Sequence, residues 1–207
     1  MINKYLKSSQ ACSPEEGNKL ACAQNTHVLI LLSGGIDSTA CAAFYLTQEF
    51  SVCALFFDYG QLPAKRESDA ASAVCAHYDI PLEKIVCSGF RQWSGGCMPG
   101  RNAFFLHAAL MAFEHTPGIL AIGVHSDTPY YDCSEQFIRD MQLSFDLYTD
   151  GRVGIGAPFL HWNKRDIWEY CHSKKVPIQL TYSCELGRDQ PCGQCLSCKD
   201  LEALHAC

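Results

Sequence analysis

Two stretches of this chain hold residues whose types and spacing could do chemistry. The first is LILLSGGIDSTA, residues 29–40. An apolar run passes into a loop with Gly34 and Gly35, and a helix is expected from about Ile36. Backbone N–H groups at a helix start, aided by the positive end of the helix dipole, can bind polyphosphate where glycine permits close approach. Ser33, Ser38 and Thr39 add hydroxyl donors, and Asp37 adds a carboxylate. The Gly-Lys-Ser/Thr ending of a Walker loop is missing, as are the three spaced glycines of a dinucleotide fold. The same residues also suit a plain strand-to-helix turn, with glycine for tight geometry and Ser or Asp for capping.

The second stretch is CELGRDQPCGQCLSC, which spaces Cys184, Cys192, Cys195 and Cys198 as C-x7-C-x2-C-x2-C. Four thiolates complete a tetrahedral shell for zinc, and two-residue gaps let successive sulfurs turn toward one ion. Such a closed site is structural: it leaves no coordination position for water and serves to fold a coreless tail onto the domain. An iron–sulfur cluster, a redox dithiol pair and unrelated buried cysteines are the alternatives.

The elements that must position these residues alternate between short β-rich runs and longer segments of helical spacing. That alternation predicts an α/β fold, a parallel sheet with helices on both faces. Strands are expected at His27 to Leu32, Ser51 to Phe57, Lys84 to Cys87, Ile119 to Val124 and Arg152 to Ile155. Helices are expected at about Ile36 to Gln48, Pro63 to Tyr78, Asn102 to Glu114, Ser134 to Tyr148 and Lys164 to Ser173. SGFRQWSGGCMPGRN lacks periodicity and is expected to be a loop. Three domains of unequal weight follow: an extension over residues 1–25, a catalytic domain over 26–180 and a zinc-binding segment over 181–207. In an open parallel sheet, ligands sit beyond the carboxyl ends of the strands, so SGGIDS, DYGQ and HSDTPYYDC should converge there.

Composition narrows the function classes. A chain of 207 residues with 48% hydrophobic and 18% charged residues can build one compact core. Its apolar runs are too short to span a bilayer, which takes about 20 residues, and the N-terminal stretch has no apolar block of the secretory kind. The expected location is cytoplasmic. A net charge of −6 argues against a broad nucleic-acid-binding face. The 14 cysteines are expected to be reduced thiols, with Cys41, Cys53, Cys75 and Cys171 as small buried hydrophobes.

Taken in order, LLSGGIDSTA, FDYGQ, MPGRNAFFL, AIGVHSD, YYDCSEQF, APFLHWNK, TYSCELG and CGQCLSC resemble the 7-cyano-7-deazaguanine synthase (QueC) family of PP-loop ATP pyrophosphatases. The resemblance runs from residue 27 to 198. It implies a homodimer that uses ATP and Mg2+ to adenylate the carboxylate of 7-carboxy-7-deazaguanine. Ammonia then gives an amide, and a second ATP drives dehydration to the nitrile. Ser33, Gly34, Gly35, Asp37 and Ser38 match the family's pyrophosphate loop, where the aspartate helps hold magnesium. Asp58 and Gln61 match its second-strand motif near nucleotide and metal. Arg101 and Asn102 match its PGRN, and Asp127, Tyr130, Asp132 and Cys133 match its loop facing the deazapurine. Lys164 matches a lysine near phosphate. Simpler roles exist for several: Asp58 could cap the helix from Pro63, Arg101 could pair with a carboxylate, and Tyr130 and Tyr131 could be loop packing.

Departures from the family pattern fall together. Leu62-Pro63-Ala64-Lys65 replaces Arg-His and a Glu-Leu pair, and Ser134 replaces an Arg after the Asp-Cys pair. Only Ser88 to Cys97 stands where the family carries a longer insertion over the substrate. These changes suit a QueC-like paralogue that keeps adenylation and passes the acid to another acceptor, such as an amine of a protein partner in a defence-associated system. An ordinary nitrile synthase with a trimmed lid fits as well. A tRNA-modifying PP-loop enzyme predicts a basic accessory domain, which the acidic charge disfavours. A glutaminase domain has no room, so free ammonia or a substrate amine is the expected nucleophile.

Overall fold

In the computed structural model, residues 26–90 and 98–205 are described, so the expected extension and residues 91–97 of the long loop lie outside them. Five parallel strands form one sheet in the order β3-β2-β1-β4-β5: β1 (His27–Leu31), β2 (Ser51–Asp58), β3 (Leu82–Val86), β4 (Gly118–Ala121) and β5 (Val153–Gly156). Central β1 reads HVLIL, the continuous apolar run of a strand covered on both sides. Val28 and Ile30 join one buried cluster while Leu29 and Leu31 join the other, as side chains alternate across the sheet.

The helices are α1 (Ile36–Leu46), α2 (Ala64–Tyr78), α3 (Arg101–Ala112), α4 (Glu135–Thr149), α5 (Lys164–Ser173) and α6 (Leu196–His205). Residues of α1, α2 and α5 pack in the first cluster, and residues of α3 and α4 in the second. Small residues at Ala40, Ala42 and Ala43 let α1 lie close on the sheet. The large buried side chains Phe56, Phe137, Phe145 and Phe159 supply much of the core, each contributing about 1.5–3 kcal/mol by leaving water.

Local signals fix several boundaries. Asn163 and Asp166 form a reciprocal capping box at the start of α5. Ser134 caps α4 by accepting a hydrogen bond from Phe137 N at 3.1 Å. Several expected boundaries shift: β5 runs Val153–Gly156, α1 ends at Leu46 and α3 spans Arg101–Ala112. β3 begins at Leu82 and ends at Val86. β4 starts one residue earlier, at Gly118, and pairs only to Ala121. Residues 122–124 continue toward the site without being part of β4. The tail, for which only a zinc-binding segment was expected, contains α6. No helix among the described residues is long and apolar enough to cross a membrane.

Candidate active site

The order β3-β2-β1-β4-β5 reverses direction between β1 and β4, and such a switch point opens a crevice at the carboxyl ends of the strands. The loop after β1 fills its floor. Gly34 has φ +81°, and a Cβ there would come within 2.5 Å of Glu67 O and 2.9 Å of Ala71 N. Only glycine therefore lets α2 press against this loop. Gly35 is the N-cap of α1 and no side chain caps the helix start, so the first-turn N–H groups remain available to an anion.

The hydroxyls here divide their work. Ser38 Oγ and Thr39 Oγ1 both donate to Gly35 O, at 3.0 and 2.9 Å, and Ser33 Oγ lies 3.1 Å from Ser38 Oγ. Thr39 is fully buried, so its hydroxyl shapes the turn, whereas Ser33 is exposed at the rim.

Asp37 is the hub of the opposite wall. Its Oδ2 lies 3.0 Å from Lys164 Nζ and 3.7 Å from His125 Nε2. His125, 5% exposed, was not singled out by sequence although it lies inside AIGVHSD. Burial lowers its pKa against the opposing pull of Asp37. Asp127 N donates to His125 Nδ1 at 3.2 Å, and Asp127 Oδ2 accepts from Lys164 N at 2.6 Å. Asp127 thus helps seat the start of α5, a favoured place for a carboxylate.

The turn after β2 bonds to itself and to the first turn of α2. Asp58 Oδ1 accepts from Gly60 N at 3.1 Å, which binds its own turn and not the helix near Pro63. Gln61 Oε1 accepts from Tyr59 N at 2.9 Å, while its Nε2 donates to Phe57 O at 3.0 Å and to Glu67 Oε2 at 2.9 Å. Burial raises the Glu67 pKa, and the Gln61 hydrogen bond and nearby Arg101 oppose that. Glu67 is a second residue that sequence reasoning missed; its position in α2, three residues past Ala64, gave no signal.

A third wall comes from α3 and the segment before α4. Arg101 Nε donates to Asn102 Oδ1 at 3.5 Å, and buried Asn102 donates to Asp132 O at 3.1 Å. Arg101 forms no carboxylate ion pair among the described residues. Burial raises the Cys133 pKa, and Thr128, Asp132, Arg101 and Asp37 all act on it. That shared field brings the third wall within electrostatic reach of Asp37. Tyr130 is 37% exposed, and Tyr131 bonds Asp140 through its hydroxyl at 2.5 Å, away from the loop after β1. A cavity of about 110 Å³ beside Arg101 is lined by Tyr59, Phe90, Met98 and Phe105.

Below the crevice, the Sγ atoms of Cys184, Cys192, Cys195 and Cys198 all lie within 4.8 Å of one another and could hold a metal ion. Gln194 N and Cys195 N donate to Cys192 Sγ at 3.4 and 3.3 Å and pull its thiol pKa down to about 6. The segment is tied to the domain by Tyr182 N, which donates to Gly34 O at 2.9 Å, and by an Arg66–Asp189 ion pair.

An uncapped helix start after the first strand of a 3-2-1-4-5 parallel sheet, with an aspartate in its first turn, defines a PP-loop α/β domain. Solved structures share that fold. NMN synthetase from Francisella tularensis matches at TM-score 0.53 and 17% identity, covering 95% of this chain and 87% of that one. A 4-thiouridine synthetase–RNA complex with bound ATP matches at TM-score 0.51 and 15% identity, covering 87% of this chain and 50% of that one. The chain belongs to the QueC family: the model described as "Queuosine biosynthesis protein QueC" matches residues 27–98 and 95–204. Curated relatives named 7-cyano-7-deazaguanine synthase include that of Prochlorococcus marinus (strain AS9601), 30% identical over 85% of this chain and 92% of the relative. Another, from Synechococcus sp. (strain CC9605), is 32% identical over 84% of this chain and 90% of the relative. The family match breaks into two pieces that meet at residues 95–98, beside the short stretch before Pro99.

Proposed function

We propose that this chain binds ATP with Mg2+ at the loop after β1 and adenylates the carboxylate of 7-carboxy-7-deazaguanine. The observation that carries this is the uncapped start of α1, with Asp37 in its first turn and Lys164 3.0 Å from that carboxylate, in a member of the QueC family. A carboxylate oxygen is a poor leaving group until it carries AMP. Attack of its oxygen on the α-phosphorus breaks the α–β bridge and releases pyrophosphate. Ammonia then adds at the acyl carbon, and AMP and a proton leave to give the amide. Attack of the amide oxygen on the α-phosphorus of a second ATP releases pyrophosphate, and loss of AMP together with the two amide protons gives the nitrile.

The residues present fit these steps as positioning and charge-neutralising groups, with no covalent nucleophile needed. Ser33, Gly34, Gly35 and the first turn of α1 cradle the pyrophosphate, Asp37 meets magnesium, and Lys164 meets phosphate. Asp58 and Gln61 shape the nucleotide side. Arg101, Asn102, Asp127, Tyr130, Asp132 and Cys133 form the deazapurine side. We assign zinc to the four-cysteine cluster: a tetrahedron with metal–sulfur bonds of about 2.3 Å has edges of about 3.8 Å, and Cys192 Sγ to Cys198 Sγ is 3.8 Å. The protein acts as a cytoplasmic homodimer in this reading.

A second reading, transfer of the activated acid to an amine of a protein partner, draws support from the broken family match at residues 95–98 and from Ser134 acting as a helix cap. One experiment separates the two. Purified protein is given ATP and 7-carboxy-7-deazaguanine with and without ammonia, and products are read by mass spectrometry. Nitrile formation supports the synthase, AMP release without nitrile supports the acceptor variant, and no acid-dependent AMP sinks both.

A further inference from the structure

We infer that His125 is a positioning residue that, with Lys164, fixes which carboxylate oxygen of Asp37 faces the bound ligand. The inference rests on the proposed nucleotide site and deepens it. His125 is 5% exposed, and Asp127 N donates to its Nδ1 at 3.2 Å. A ring nitrogen that accepts carries no proton, so a neutral imidazole holds its proton on Nε2. That Nε2–H lies 3.7 Å from Asp37 Oδ2, just outside direct hydrogen-bond length and still in strong electrostatic range at a buried position. Lys164 Nζ reaches the same oxygen at 3.0 Å. Lys164 thus donates to Oδ2, the His125 Nε2–H faces that same oxygen, and Oδ1 has no hydrogen-bond partner among the described residues.

The surrounding chain makes this arrangement stiff. Asp127 holds His125 through its N–H and holds Lys164 N through Oδ2 at 2.6 Å, which closes a ring of four residues. A Cβ on Gly123 would meet Asp37 O at 2.7 Å, so the segment leading to His125 lies directly on the first turn of α1. Gly123 packing and the Asp127 bonds thus hold His125 in place beside Asp37. Outer partners of a ligating carboxylate commonly set its orientation and its metal affinity.

Two variants isolate the Nε2–H. His125→Asn keeps an acceptor for Asp127 N and removes the donor facing Asp37, whereas His125→Gln keeps a donor at that reach. ATP binding is followed by calorimetry across a Mg2+ titration, and KM and kcat for ATP are read from AMP release. H125N should need about tenfold more Mg2+ for half-maximal binding and lose about tenfold in kcat, with H125Q within about threefold of wild type. Equal Mg2+ dependence in wild type and H125N overturns the inference, as does an equal loss in both variants. His125→Ala replaces H125N if a thermal melt shows that the asparagine protein is unfolded. Calorimetry needs no acid substrate. If wild type forms no AMP, the substrate reading falls, and the Mg2+ comparison alone decides for or against His125.

Discussion

Lys164 Nζ stands 3.0 Å from Asp37 Oδ2, so the first residue of α5 reaches the second residue of α1 across 127 positions of sequence. A lysine at a helix start opposes the helix dipole. Asp166 in the same first turn and Asp127 on Lys164 N offset that cost, which leaves the ammonium directed at Asp37. Asp37→Ala should abolish acid-dependent AMP release, and Lys164→Met should lower kcat roughly 10²- to 10³-fold, the range for losing one preorganised charge. Steady-state AMP release checks both; unchanged turnover in D37A would remove the loop after β1 from the chemistry.

Tyr182, two residues before Cys184, donates its N–H to Gly34 O, so the cysteine cluster and the loop after β1 share a short tether. Metal analysis should find about one zinc per chain. Chelation should lower the melting temperature and weaken ATP binding together. Iron with sulfide, or ATP affinity indifferent to chelator, would contradict this coupling.

Gly34→Ala and Gly60→Ala form a matched pair, because both glycines have φ +81°. Gly60 has open space around its missing Cβ, while Gly34 faces Glu67 O and Ala71 N. The left-handed conformation alone costs about 1 kcal/mol or somewhat more. G34A should therefore destabilise by clearly more than G60A in chemical denaturation. Equal losses would mean that α2 does not press on the loop.

Burial lowers the His125 pKa from its ordinary value of 6.5, so the folded state favours the neutral ring. The associated stability is fully present above pH 6.5 and is lost as pH falls through the depressed folded value. Wild type should lose more stability than H125Q between about pH 7 and 5. Parallel stability curves for the two proteins would rule out a neutral buried histidine.

The repeating strand–helix order was legible because short Val-, Ile- and Leu-rich runs such as HVLIL, too brief for a buried helix and bounded by turn residues, suit central strands. The four cysteines were legible from spacing, and they do meet. His125 and Glu67 were not legible. A lone histidine after an apolar run has no periodicity to betray a partner 88 residues away, and Glu67 looks like an ordinary exposed charge on α2 until Gln61 folds back onto it. α6 was hidden for another reason: its first residues also belong to the cysteine pattern, so a knuckle and a helix start compete for the same signal.

The site straddles β1 and β4, which are neighbours in the sheet although the chain leaves one at Leu31 and reaches the other at Gly118. During synthesis the ribosome releases the turn after β1 long before His125 or Lys164 exists. Until those later residues arrive, Asp37 has neither its ring neighbour nor its ammonium partner, so the segments that follow the last two strands complete the surroundings of a residue released near the beginning.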